Sequence, residues 1–143
     1  MATVNTILSS KGNHVWTIKP DATVYDALVL MADKNIGAVV VVDEDEKLVG
    51  ILSERDYARK ITLLERNSRD TPVRDIMTER VRYVAPSTTL NQCLHIMTEH
   101  RFRHLPVMNG DEMVGFLSIG DVVKAVIEDQ KVMINHLESY ITG

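Results

Sequence analysis

Two short segments carry the residue types best suited to chemistry. Gly50-Ile51-Leu52-Ser53-Glu54-Arg55-Asp56 reappears as Gly115-Phe116-Leu117-Ser118-Ile119-Gly120-Asp121. Each follows an apolar run and precedes a helical pattern, so each predicts a strand end that leads into a helix. At such a junction a Ser oxygen can accept from orphan N–H groups, and an Asp favours the positive helix end. The same geometry suits a nucleotide. Unpaired N–H groups and the helix dipole favour an anion. An aspartate held there can accept two hydrogen bonds from a ribose diol, and the Ser hydroxyl can donate to a ribose or phosphate oxygen. A single copy reads best as a helix cap; a second copy strengthens the case for binding.

Other constellations are weaker. His95, His100 and His104 straddle a helix end and a strand, so they do not converge as zinc ligands must. The only cysteine, Cys93, lies on an apolar stripe and reads as core rather than nucleophile. The acidic run Asp43–Glu46 lacks the spacing and central glycine of a calcium loop and reads as a solvated hairpin turn. There is no Walker loop and no nucleophile elbow. No catalytic residue and no metal site is therefore expected.

The two motif copies belong to a longer internal repeat, residues 15–60 and 81–125. Pro20 and Met31 recur as Pro86 and Met97 at an offset of 66; Gly50, Ser53 and Asp56 recur at an offset of 65. One residue is lost between these blocks, where Asp43–Glu46 is replaced by Asn109-Gly110-Asp111, a hairpin signal. Each unit reads strand, helix, strand, strand, helix. In the first, residues 15–18 form a short strand, and Thr23 with Asp26 opens a helix whose inner face is Val24, Ala27, Leu28 and Met31. The second uses Thr89 with Gln92, then Leu90, Cys93, Leu94 and Met97. Ala38–Val42 is small or β-branched throughout, as in a strand buried on both faces. Residues 3–10 predict a short helix before the repeat, and residues 65–80 a brief connection with one helical turn near Val73–Met77. The expected organisation is 1–66 for the first helix with repeat 1, 67–80 for a linker, and 81–143 for repeat 2 with an extended C-terminal helix.

Composition bounds the partners. The chain has 143 residues, 45% hydrophobic and 25% charged, with a net charge of −4. That argues against a general nucleic-acid or membrane-surface binder. No apolar run approaches the roughly 20 residues of a spanning helix. The start has neither a charged region nor a long apolar core of the secretory kind. With a single cysteine, a reducing cytoplasm is the simplest setting.

The repeat, the two Gly-apolar-apolar-Ser-x-x-Asp copies and the Asp75-Ile76-Met77-Thr78 connection together resemble a tandem pair of cystathionine β-synthase (CBS) domains, a Bateman module. The resemblance covers residues 15–125. It implies an α/β (α+β) fold of two pseudo-symmetric β-α-β-β-α repeats packed sheet to sheet, with flanking helices. It also implies a regulatory module that binds AMP, ADP, ATP, NAD or S-adenosylmethionine in clefts between the repeats and senses energy or redox state. Carried over by position, Asp56 and Asp121 would take the ribose, with Ser53 and Ser118 beside them. Adenine would lie along Val15, Trp16, Thr17 and Ile18 with Ile36, Gly37 and Ala38, and along Val81, Tyr83 and Val84 with Leu105 and Pro106. Arg101, Arg103 and His104 resemble the phosphate clamp, with Lys19 and Arg55 as further candidates. Only the second repeat brings Arg-x-Arg-His, so two unequal sites are expected. The alternative is a structural dimerisation module with no tight ligand.

The C-terminal helix places Val123, Val126, Met133, Leu137 and Tyr140 at heptad-like spacing, interrupted by Gln130. Val122, Ile127, Ile134 and Ile141 widen the apolar surface. Packing within the chain, including on the first helix, can bury part of it; a homodimer interface accounts for more. Such a module would also act on a regulated protein that no residue identifies.

Overall fold

The computed structural model describes residues 2–142 and divides the chain into two units. The first is Val15–Val81. The second joins Met1–His14 to Arg82–Gly143.

In the first unit, β1 (Thr17–Ile18), β2 (Ala38–Val42) and β3 (Leu48–Ser53) form a sheet in the order β1-β2-β3. β1 runs parallel to β2, and β3 antiparallel to it. All five residues of β2 are buried, as expected of its small and β-branched side chains. Helix α2 (Val24–Lys34) starts at Thr23, whose side chain accepts from the Asp26 N–H. Its Val24, Ala27 and Met31 join Val39, Val41 and Leu52 of the sheet in one core. A short helical segment, α3 (Glu54–Asp56), continues as a wider π turn over Tyr57–Ile61 rather than as the regular helix expected.

The stretch expected to be a linker is part of this unit. Val24 N–H donates to the Thr71 carbonyl and Val73 N–H to that of Ala22, both at 2.8 Å. Thr78 and Ile51 exchange backbone bonds of 2.8 and 3.0 Å. Val73 and Ile76 are wholly buried in the α2–sheet core.

The second unit repeats the plan with α4 (Leu90–His100), β4 (His104–Asn109), β5 (Glu112–Ser118) and the 24-residue α5 (Ile119–Thr142). Thr89 and Gln92 form the reciprocal cap expected. The β4–β5 turn has Gly110 at φ 64, where a side chain would be strained. Even the bulges recur, at Val41/Val42 and Val107/Met108. Helix α1 (Val4–Lys11) belongs to this unit and not, as expected, to the first repeat. Val4 and Ile7 sit in a core with Cys93, Met97, Leu105, Val107, Leu117 and Val122.

This arrangement exposes a longer repeat. Val4, Ile7 and Leu8 match Val73, Ile76 and Met77, each at an offset of 69. Val4 N–H donates to the Thr88 carbonyl as Val73 N–H donates to that of Ala22, and Thr3 bridges Thr89 as Pro72 bridges Thr23. The N-terminal helix thus docks on the second repeat as residues 72–78 dock on the first.

One expected strand is much reduced. Residues 81–84 make only a bridge, Val84 to Val107, where Thr17 and Ile18 form a ladder with Val40 and Val41. The residue matching Val40 is Pro106. Val40 N–H donates to the Trp16 carbonyl at 3.3 Å; proline has no N–H to do the same. Val84 keeps its two bonds, from its N–H to the Pro106 carbonyl and from the Met108 N–H to its own carbonyl.

Candidate functional site

Both Ser-x-x-Asp copies sit where a β-strand ends and a helix begins. In the first unit, Ser53 N–H and the Ser53 hydroxyl each donate to Asp56 Oδ2 at 3.0 Å. Asp56 N–H donates back to Ser53 Oγ at 3.1 Å. The other carboxylate oxygen, Oδ1, accepts from the Thr78 hydroxyl at 3.1 Å and lies 3.5 Å from Lys60 Nζ. Lys60 also donates to the Ile76 carbonyl.

In the second unit, Ser118 N–H donates to Asp121 Oδ2 at 2.8 Å, and Asp121 N–H to Ser118 Oγ at 3.1 Å. Here the cation comes from α1. Lys11 Nζ lies 2.6 Å from Asp121 Oδ2 and also donates to the Phe116 carbonyl at 2.8 Å. Among the described residues, these contacts to the Asp121 carboxylate fall on Oδ2. Burial pushes the Asp121 carboxyl up, but Lys11 and Ser118 together outweigh it and hold the group below its ordinary value.

The capping reading is therefore realised in both copies, and it changes the anion expectation. The first N–H of each helix is also used: Glu54 donates to the Gly37 carbonyl at 3.0 Å and Ile119 to the Arg103 carbonyl at 2.8 Å. With the third N–H taken by the Ser oxygen, little of the helix end remains for a phosphate.

The same bonds bring Gly37 and Arg103 beside the motif. Ala38 pairs with Ser53, and His104 with Ser118. His104 stacks on Phe116, with ring centroids 5.4 Å apart and planes 13° from parallel. Arg103 and Arg55 are exposed, Ile36 is half-buried and Pro106 buried. Thr17 lies opposite Val40, one strand over, and Val15 precedes it half-buried. Tyr83 is exposed on the segment that Pro106 keeps out of a ladder. Arg101 closes α4 in the left-handed conformation, as Asn35 closes α2.

Lys19 is not brought to this corner. It donates to the Asp43 carbonyl at 2.8 Å and to Glu46 at 2.9 Å, at the hairpin end of the sheet. Hydrogen bonding to Glu46 raises its pKa. Five residue steps separate Asp43 at that end from Ala38, about 16 Å.

Sequence reasoning missed Lys11, Lys60 and Thr78. Lys60 stands four residues after Asp56, a spacing that brings helical side chains together. Lys11 and Thr78 stand 110 and 22 residues from their carboxylates, and no local spacing marks them. Among the described residues no cluster of His, Cys, Asp or Glu is suited to a metal ion, and no helix is long and apolar enough to cross a membrane.

Comparison with known proteins matches this architecture. The CBS domain model fits residues 8–63 and 73–128. A mitochondrial CBS domain-containing protein of Arabidopsis thaliana is 41% identical over 99% of this chain and 72% of its own. A candidate signal-transduction protein with CBS domains from Burkholderia ambifaria is 52% identical, with a TM-score of 0.86 over 90% of this chain and 96% of that one. A CBS-domain protein from Agrobacterium tumefaciens is 38% identical, with a TM-score of 0.83 over 87% of this chain and 98% of that one. The chain belongs to the CBS-domain family and carries two CBS domains in tandem.

Proposed function

We propose that the protein is a regulatory module that binds adenine nucleotides (AMP, ADP, ATP or NAD) at its Ser-x-x-Asp corners, and performs no catalysis of its own. The observation that carries this reading is the carboxylate built twice at a strand end and oriented by its own Ser in each case. A carboxylate already held in place loses little freedom when it accepts a ribose diol. Arg103 and His104 beside Ser118 supply phosphate-binding groups to the second corner. Lys11 moves onto the ligand as the ribose takes its place on Asp121. The two corners differ: Asp56 uses both oxygens within its unit, whereas the contacts on Asp121 fall on Oδ2. The second corner is accordingly the tighter one.

Binding shifts the population of conformations that a regulated protein reads, so the ligand reports energy or redox state. The module works as a homodimer. A reducing compartment, the cytoplasm in the simplest case, agrees with its unpaired, buried Cys93.

The full use of Asp56 favours a second reading, a structural module with no tight ligand. Thermal unfolding separates the two. A ligand at 100 times its Kd adds about 2.7 kcal/mol of stability. An upward shift with adenine nucleotides that is lost in Asp121→Ala supports binding. No shift with any adenine nucleotide at millimolar concentration leaves the structural reading.

A further inference from the structure

The outer half of α5 lies beyond the CBS domain, which ends at residue 128. Val122 is buried, and Ala125 and Val126 pack on the second unit's core. From Ile127 to Thr142 every residue is exposed. A helix of that length is marginal in water without packing. Its surface is not polar: Ile134 is 53% exposed, Leu137 54% and Ile141 82%.

These residues follow a strict rule. Val123, Ile127, Gln130, Ile134, Leu137 and Ile141 alternate steps of four and three, the spacing of a heptad seam. The seam sits beside the buried stripe and is distinct from it. The expected stripe through Val126 is therefore displaced, because Val126 turns inward.

We propose that this seam pairs with the same seam of a second copy, as an antiparallel two-stranded coiled coil centred near residue 132. Ile127 of one copy then meets Leu137 of the other, Gln130 meets Ile134, and Val123 meets Ile141. The flanking charges select the direction. In this register Lys124 reaches Glu138 of the second copy, twice by symmetry, and Met133 meets Met133; Lys131 faces Lys131 once across the two-fold, beside its own Glu128 at 3.8 Å, so two ion pairs stand against one like-charge contact. A parallel pair would set Glu138 against Met133 and Lys131 against Val126, with no ion pair. The proposal deepens the homodimer part of the proposed function by naming its surface and direction.

Analytical ultracentrifugation of the full chain tests it. The wild type is expected to be a dimer, and the exposed pair of substitutions Ile134→Asp with Leu137→Asp should weaken it about a hundredfold or more. Lys124→Glu alone should weaken it about tenfold, and adding Glu138→Lys should restore it. Met133→Cys should crosslink two copies on oxidation, and Gln130→Cys should not. Crosslinking through Gln130→Cys instead would overturn the antiparallel direction. A dimer untouched by the Asp substitutions would overturn the seam while leaving the homodimer reading intact, whereas a wild-type monomer at high concentration would overturn both.

Discussion

Lys11 and Asp121 stand 110 residues apart in the sequence, and their Nζ and Oδ2 atoms stand 2.6 Å apart. The pair ties the N-terminal helix to the motif of the second repeat. Its stability contribution follows the Asp121 charge. Because the folded carboxyl is held below its ordinary value, the contribution is full above the unfolded pKa of about 3.9. It is lost as pH falls through the lower folded value. Lys11→Met should destabilise the protein by about 0.5–1 kcal/mol at neutral pH. Thermal melts as a function of pH should show that difference vanish once Asp121 is protonated; a difference that persists in acid would assign Lys11 a packing role instead.

The glycines that open the two motifs are close-approach positions. A Cβ on Gly50 would lie 2.8 Å from Met77 Sδ and 3.0 Å from the Thr78 carbonyl oxygen. One on Gly115 would meet Leu8 Cδ2 at 2.5 Å. Leu8 can turn aside, but the Thr78 carbonyl is held by its bond from the Ile51 N–H. Gly50→Ala should therefore destabilise by about 1–3 kcal/mol, and Gly115→Ala by less. Denaturant unfolding of the two variants checks the order.

Pro106 accounts for the missing ladder in the second repeat. Pro106→Val restores an N–H opposite the Arg82 carbonyl. Hydrogen exchange should show residue 106 protected, as Val40 is expected to be in the first repeat. An unprotected amide there would mean that residues 81–84 stay apart for another reason.

Cys93 is wholly buried, and burial pushes its thiol up to about 11. It should resist a thiol reagent at pH 8 in the native protein and react fully after unfolding. Rapid native labelling would show that the α4 core opens readily.

Much of this was legible in the sequence because the repeat aligns residues whose local chemistry is explicit. Thr23, Thr89, the Asn109-Gly110 turn and the apolar stripes of α2 and α4 each act within a few residues of themselves. The failures involve distant partners. Helix α1 reads as belonging to the repeat that follows it, yet its Val4 and Ile7 are buried with Cys93 and Leu117. Residues 67–80 read as a linker because their polar surface hides three anchors, Thr71, Val73 and Ile76, all buried. In the site, Ser and Asp were legible from spacing alone. Lys11 and Thr78 were not, since neither lies near its carboxylate in sequence. Lys19 misled because its charge was apparent and its Glu46 partner across the hairpin was not.

Isothermal titration calorimetry with AMP, ATP and NAD tests the central claim most directly. The wild type should bind at least one of them, with two unequal sites if both corners fill. Asp121→Ala should weaken the tighter site by about 1.5–3 kcal/mol, and Asp56→Ala should have the smaller effect. Absence of binding by every adenine nucleotide, or affinities indifferent to both substitutions, would contradict the assignment of the two carboxylates to ribose.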